Sequence, residues 1–200
     1  DSIVAETRAW IDSFVIGLEL CPWAKFSQNT GGLRISATDV RTFDEALQVI
    51  RSEASLLEKA TSVRSYSTTL VVIPRVQGFH DFTAYLDFVG TVESELEADG
   101  WGGKIQVATF HPKYQFSGTA SEGDEVNYTN KSPYPTLHLL WESQVTAAVE
   151  SFDGDTDQIW QANEDTMRRM GRDRLLALQE QCSHHTEKAK TECCQDNLTH

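Results

Sequence analysis

The segment that most constrains the fold is Leu70-Val71-Val72-Ile73, a continuous apolar and largely β-branched run stopped by Pro74. A strand with one wet face alternates apolar and polar side chains, so an unbroken run suits a strand covered on both faces. It predicts the centre of a sheet. Upstream, Leu33, Ile35 and Ala37 alternate with polar residues after a Gly31-Gly32 turn, and Phe43, Ala46, Leu47, Ile50 and Leu57 recur at the helical period. Downstream, Phe82, Tyr85, Leu86, Val89 and Leu96 give another amphipathic pattern, closed by Gly100 to Gly103, and Ile105 to Phe110 reads as a further strand. Strands separated by helices of this length require crossovers, which imply parallel pairing and right-handed topology.

The ends of the chain add helices to this βαβαβ core. Ile11, Phe14, Val15 and Leu18 are spaced for an N-terminal helix over residues 3 to 20, ended by Pro22 just after Cys21. From Pro135 to Phe152, Leu139, Val145, Ala148 and Val149 suit a helix with Pro135 in its first turn, and a strand over Thr136 to Leu140 is the alternative. A less regular helix follows over residues 155 to 181. The expected fold is α/β, with a small, mainly parallel sheet of three or four strands, an N-terminal helix and added C-terminal helices. Residues 1 to 181 form a single α/β domain in this reading, and 182 to 200 a polar tail open to disorder.

Seventeen Lys and Arg against 30 Asp and Glu give a formal charge of −13, which opposes contact with phosphate backbones and argues against a nucleic-acid partner. The stretch from His80 to Gly100 carries Asp81, Asp87, Glu93, Glu95, Glu97 and Asp99 with no Lys or Arg, as a solvated helix face or a dock for a basic partner would. No apolar run approaches the roughly 18 to 20 residues needed to span a bilayer, and no secretory signal opens the chain. The start at Asp1 reads as a trimmed chain whose targeting segment, if any, is missing. Cys21 stands alone, and Cys182, Cys193 and Cys194 fall in the tail, so a reducing compartment is expected, either cytoplasm or an organelle stroma or matrix. The tail also holds His184 and His185 but lacks zinc-site spacing, and Asn197-Leu198-Thr199 reads as a chance glycosylation triplet.

Polar chemistry concentrates between Phe110 and Glu142. His111 follows a strand directly, and in open parallel sheets ligands bind beyond the carboxyl ends of strands, where Arg75 also falls. His138 and Glu142, four apart, would share one face of a helix. With His111 they make a candidate two-histidine, one-carboxylate site for iron or zinc, the same three side chains being catalytic candidates without metal. Cys21 is a second catalytic candidate, disfavoured by the negative end of a helix dipole unless Lys25 offsets it. Asn127, Asn130, Lys131 and Ser132 lead into Pro135 and form either an anion-binding turn or ordinary capping residues. Tyr114 can wall a pocket or simply pack.

Leu20-Cys21-Pro22-Trp23-Ala24-Lys25, Gln106 to Phe116 and Asn127 to Glu142 occur in the order and spacing of a family known as domain of unknown function 1415, which the chain resembles over roughly residues 4 to 152. Lys131 and Trp141 stand where that family usually has arginine, which weakens a bidentate anion contact there. The resemblance implies no particular activity. The leading expectation is an enzyme acting on a small anionic metabolite through His111, His138 and Glu142, with Lys25, Arg75, Tyr114, Asn127, Asn130, Lys131 and Ser132 binding substrate. The rival is a non-catalytic ligand-binding protein, or an accessory subunit with a protein partner.

Overall fold

A computed structural model describes residues 2–61 and 67–195, with side chains as far as Ser183. His184, His185, Cys193, Cys194 and the Asn197 triplet lie outside the described side chains. In chain order the elements are α1 (Ser2–Trp10), which continues into a π-helical segment (Ile11–Ile16), α2 (Ala24–Asn29), β1 (Leu33–Ala37), α3 (Phe43–Thr61), β2 (Thr68–Val72), α4 (Phe82–Leu96), β3 (Ile105–Phe110), β4 (Thr136–Trp141), α5 (Glu142–Glu150), α6 (Asp157–Met170) and α7 (Arg172–Gln195). The α7 helix therefore runs on past residue 181, and Cys182 is buried against the core.

The fold is α/β, with a four-stranded sheet ordered β1-β2-β4-β3. The β1 and β2 strands pair in parallel, with Ile35 opposite Leu70. Every residue of β2 is buried, as its unbroken apolar run requires. β3 keeps the direction of β1 and β2, yet it does not pair with β2, because β4 inserts antiparallel between them. The helix expected from Pro135 onward thus begins only at Glu142. Leu137 and Leu139, both fully buried, alternate with His138 at the two-residue period of a strand, and the slot between β2 and β3 satisfies both edges of that segment.

The sheet carries two apolar layers. On one face Val71, Leu137 and Leu139 pack on Ala46, Ile50 and Ala54 of α3 and on Phe88 and Val92 of α4. On the other, Leu70, Leu33 and Phe110 meet Trp10, Ile11 and Phe14 from the N-terminal helix and Met167 and Leu175 from α6 and α7. The acidic helix face is answered in part by Arg51 of α3, which binds Glu95 and places its Nε 2.6 Å from Asp99. The α4 helix starts at a capping residue, Asp81, whose carboxylate accepts the Ala84 N–H at 2.9 Å. No described helix is long and apolar enough to cross a membrane.

Candidate functional site

The loop from His111 to Pro135 is knitted together by its own polar side chains. Asn127, fully buried, accepts N–H of Phe116 at 2.9 Å and the Thr119 hydroxyl at 3.2 Å through Oδ1, and donates from Nδ2 to the carbonyls of Ser121 and Glu122. Asn130 donates to the Thr109 carbonyl, and its own carbonyl accepts the His111 N–H. Ser132 donates to the Tyr134 carbonyl at 2.6 Å. Lys131 is only 5% exposed, with Nζ 3.7 Å from a Glu122 oxygen and 4.9 Å from the centre of the Tyr128 ring. Burial holds its pKa below the usual lysine range, and Glu122 opposes that shift. These four residues, expected to hold an anion, bind the loop itself.

His111 is sealed in the same structure. It is 1% exposed between Phe82 and Tyr85, its Nε2 lies 2.7 Å from the Phe79 carbonyl, and its Nδ1 accepts the Lys113 N–H at 3.0 Å. A carbonyl can only accept, so Nε2 carries the proton and Nδ1 offers its lone pair to Lys113. Both ring nitrogens are engaged, and burial lowers the pKa. Tyr114 packs at a tilt against Phe82 and edge-on against Phe116, while Arg75 pairs with Asp39 at 3.3 Å on the surface.

His138 projects from β4 onto the opposite side of the sheet, where its ring faces Phe110 at 6.2 Å. Glu142 is the first residue of α5, where a carboxylate favours the positive end of the helix dipole. The two therefore do not share a helix face. His111, His138 and Glu142 do not converge, and among the described residues no three His, Cys, Asp or Glu side chains are grouped to hold a metal. The iron or zinc expectation rested on that convergence, which the described residues do not form.

What lies beside His138 is a cavity of about 300 Å³, within the range of small-molecule sites. Its walls come from the π-helical segment (Ile11, Val15), the sheet (Leu70, Phe110, Leu140) and α5 (Val145, Ala148). Trp10, Trp23 and Trp141 add broad aromatic surface. π-helical turns recur at functional sites. This one is followed by Gly17, where a Cβ would lie 2.5 Å from the Ser13 carbonyl oxygen, so a side chain there would force the segment to shift.

The polar groups of the cavity are few. Thr68 donates to the Leu139 carbonyl at 3.0 Å and also contacts His138 Nε2. Burial presses the His138 pKa down to about 4, so the ring is neutral at physiological pH. Ser67 gives its N–H to Gln144 Oε1 at 2.8 Å, but its hydroxyl, in a residue 8% exposed, has no hydrogen-bond partner among the described residues. The indole N–H of Trp10 is likewise buried and unpaired. Most buried polar atoms in proteins are satisfied, so two orphans among the residues lining one cavity are unusual.

Cys21 borders this cavity and two adjoining clefts, of about 650 Å³ and 540 Å³. Burial raises its thiol pKa, and backbone contacts with Trp23 and Ala24 only partly reverse the effect. The thiol is thus protonated and weakly nucleophilic, through burial more than through a helix C-terminus. Lys25 lines the smaller cleft beside Asp153 and Asp155. Sequence reasoning reached His138 and Cys21 here but missed Trp10, Ser67, Thr68 and Gln144, which only the fold brings together.

No curated protein and no solved structure matches the chain. A family profile matches residues 2–177, well beyond residue 152, so α6 falls inside the shared unit and is no appendage to it. The chain belongs to the family described as protein of unknown function (DUF1415).

Proposed function

We propose that this protein binds a small, largely apolar and uncharged molecule in the cavity beside His138. One observation carries the reading: among the described residues no Asp, Glu, Lys or Arg lines the cavity, while two of its lining residues, Trp10 and Ser67, keep a buried polar atom with no described partner. An apolar enclosure with a few convergent polar groups is the usual architecture of a small-molecule site. An anion would lose its hydration there without gaining a cation from the described lining residues, a large penalty in an apolar enclosure. The ligand-binding alternative is thereby favoured over an enzyme for anionic metabolites built on His111.

The test is an NMR fragment screen against the wild type and Ala148→Trp, with far-UV circular dichroism to verify that the variant folds. Ala148 is a buried cavity wall residue, so an indole there fills the space. Neutral aromatic and alicyclic fragments are expected to shift resonances of Leu70, Phe110 and Val145, and to lose that effect in Ala148→Trp. Equal binding to both proteins, or a clear preference for carboxylates and phosphates, overturns the reading.

A further inference from the structure

Resting on that cavity reading, we infer that the ligand carries an uncharged hydroxyl or primary carboxamide head group, recognised by His138 and Ser67. The argument follows the protons. Thr68 has one hydroxyl proton, and it is given to the Leu139 carbonyl at 3.0 Å. Thr68 therefore meets His138 Nε2 as an acceptor, which assigns the imidazole proton to Nε2. Nδ1 is left as a lone pair, and the described residues give it no partner, while the ring borders the cavity. Ser67 and Trp10 also line this cavity, and each keeps a buried polar atom with no described partner: a hydroxyl able to donate or accept, and an indole N–H that only donates.

The complement of this set is a head group that both donates and accepts. A hydroxyl or a primary carboxamide does so without charge. A carboxylate only accepts and would face the Nδ1 lone pair with no cation among the described lining residues; an ammonium only donates and meets no carboxylate among them. A plain hydrocarbon would leave the orphaned groups as they are. Recognition of a hydrogen-bonding group by buried polar atoms discriminates strongly, because the wrong ligand leaves them unpaired. The volume equals that of about ten molecules of liquid water, enough for a bicyclic body with one polar substituent.

The experiment is a matched series on one scaffold, methylnaphthalene, naphthol, naphthamide and naphthoate with the substituent at the same ring position, titrated by NMR at neutral pH. Naphthol and naphthamide are expected to bind the wild type about ten-fold more tightly than methylnaphthalene or naphthoate, the worth of one net hydrogen bond. In Ser67→Ala and in His138→Phe that advantage is expected to fall to within about two-fold, with methylnaphthalene affinity retained. Ser67→Ala breaks no side-chain hydrogen bond of the free protein, so its result is independent of any folding defect in His138→Phe. If methylnaphthalene binds as well as naphthol, and binding is still abolished by Ala148→Trp, the head-group inference is overturned while the cavity reading survives; if naphthoate binds as well as naphthol, both are overturned. If none of the four binds, both fall.

Discussion

The His111 to Pro135 loop, which links β3 to β4, and the cavity beside His138 use polar side chains in opposite ways. The loop is dense with them, and each of Asn127, Asn130, Ser132 and His111 is engaged by a neighbouring backbone group. The cavity has only a handful, yet the Ser67 hydroxyl and the Trp10 indole N–H have no partner among the described residues. Density of polar residues therefore indicates where hydrogen bonds are made, whereas unsatisfied valence indicates where a ligand can add one. In the loop, polarity replaces the regular backbone pairing that an irregular segment lacks. In the cavity, its scarcity makes the remaining groups selective.

The largest effect expected from this contrast is in the loop. Asn127→Ala removes hydrogen bonds to Phe116, Thr119, Ser121 and Glu122 in a fully buried position, and should destabilise the protein by about 4 kcal/mol. Urea denaturation measures it. A variant as stable as wild type would mean that the loop's polar network is dispensable for stability, and the contrast would break.

A smaller effect separates the two histidines by pH. His138 has a folded pKa of about 4, below the ordinary 6.5, so between those values the unfolded chain binds a proton that the folded chain refuses. Stability is therefore full above about pH 6.5 and falls as pH drops toward 4, by up to about 3 kcal/mol from this residue. The lowered pKa of His111 acts with the same sign, so a His138→Phe variant should retain a shallower slope, not a flat line. The carboxylates with depressed pKa values, among them Glu53 and Asp81, lose their contribution below the usual carboxylate range, which leaves the interval from pH 6.5 to 5 to the histidines. An unchanged slope in His138→Phe would show that the cavity histidine is freely protonated when folded, contrary to a neutral cavity.

Much of the fold was legible because it rests on local periodicity. The apolar run at Leu70 to Ile73, the alternation at Leu33 to Ala37 and the helical spacing from Phe43 and from Phe82 depend only on which face of each element is covered. The β4 strand was less legible, since Leu137 and Leu139 give just one clear repeat, while Pro135 and the four-residue spacing of His138 and Glu142 favour a helix equally well. Only the vacant edge between β2 and β3 decides it. The cavity was scarcely legible at all. Trp10, Ser67 and the pair His138 and Gln144 come from three separate stretches of sequence, and what distinguishes Ser67 and Trp10 is a missing partner among the described residues, a property of the assembled fold that no residue type announces.

The smallest expected effect tests that last property directly. Ser67→Ala should raise the stability of the ligand-free protein by about 1 kcal/mol, because a buried hydroxyl with no partner bears a desolvation penalty that a methyl group does not. The backbone N–H of residue 67 keeps its bond to Gln144, so the substitution leaves the local geometry supported. Ser132→Ala is the matched control in the loop: its hydroxyl binds the Tyr134 carbonyl at 2.6 Å, and its loss should destabilise by a similar amount. Thermal and urea unfolding of the pair should thus give shifts of opposite sign for the same chemical change. A serine whose removal stabilises the free protein but weakens binding of naphthol is retained for recognition and not for folding. If both variants are destabilised, the Ser67 hydroxyl is satisfied after all, and the distinction between a saturated loop and an unsaturated cavity disappears.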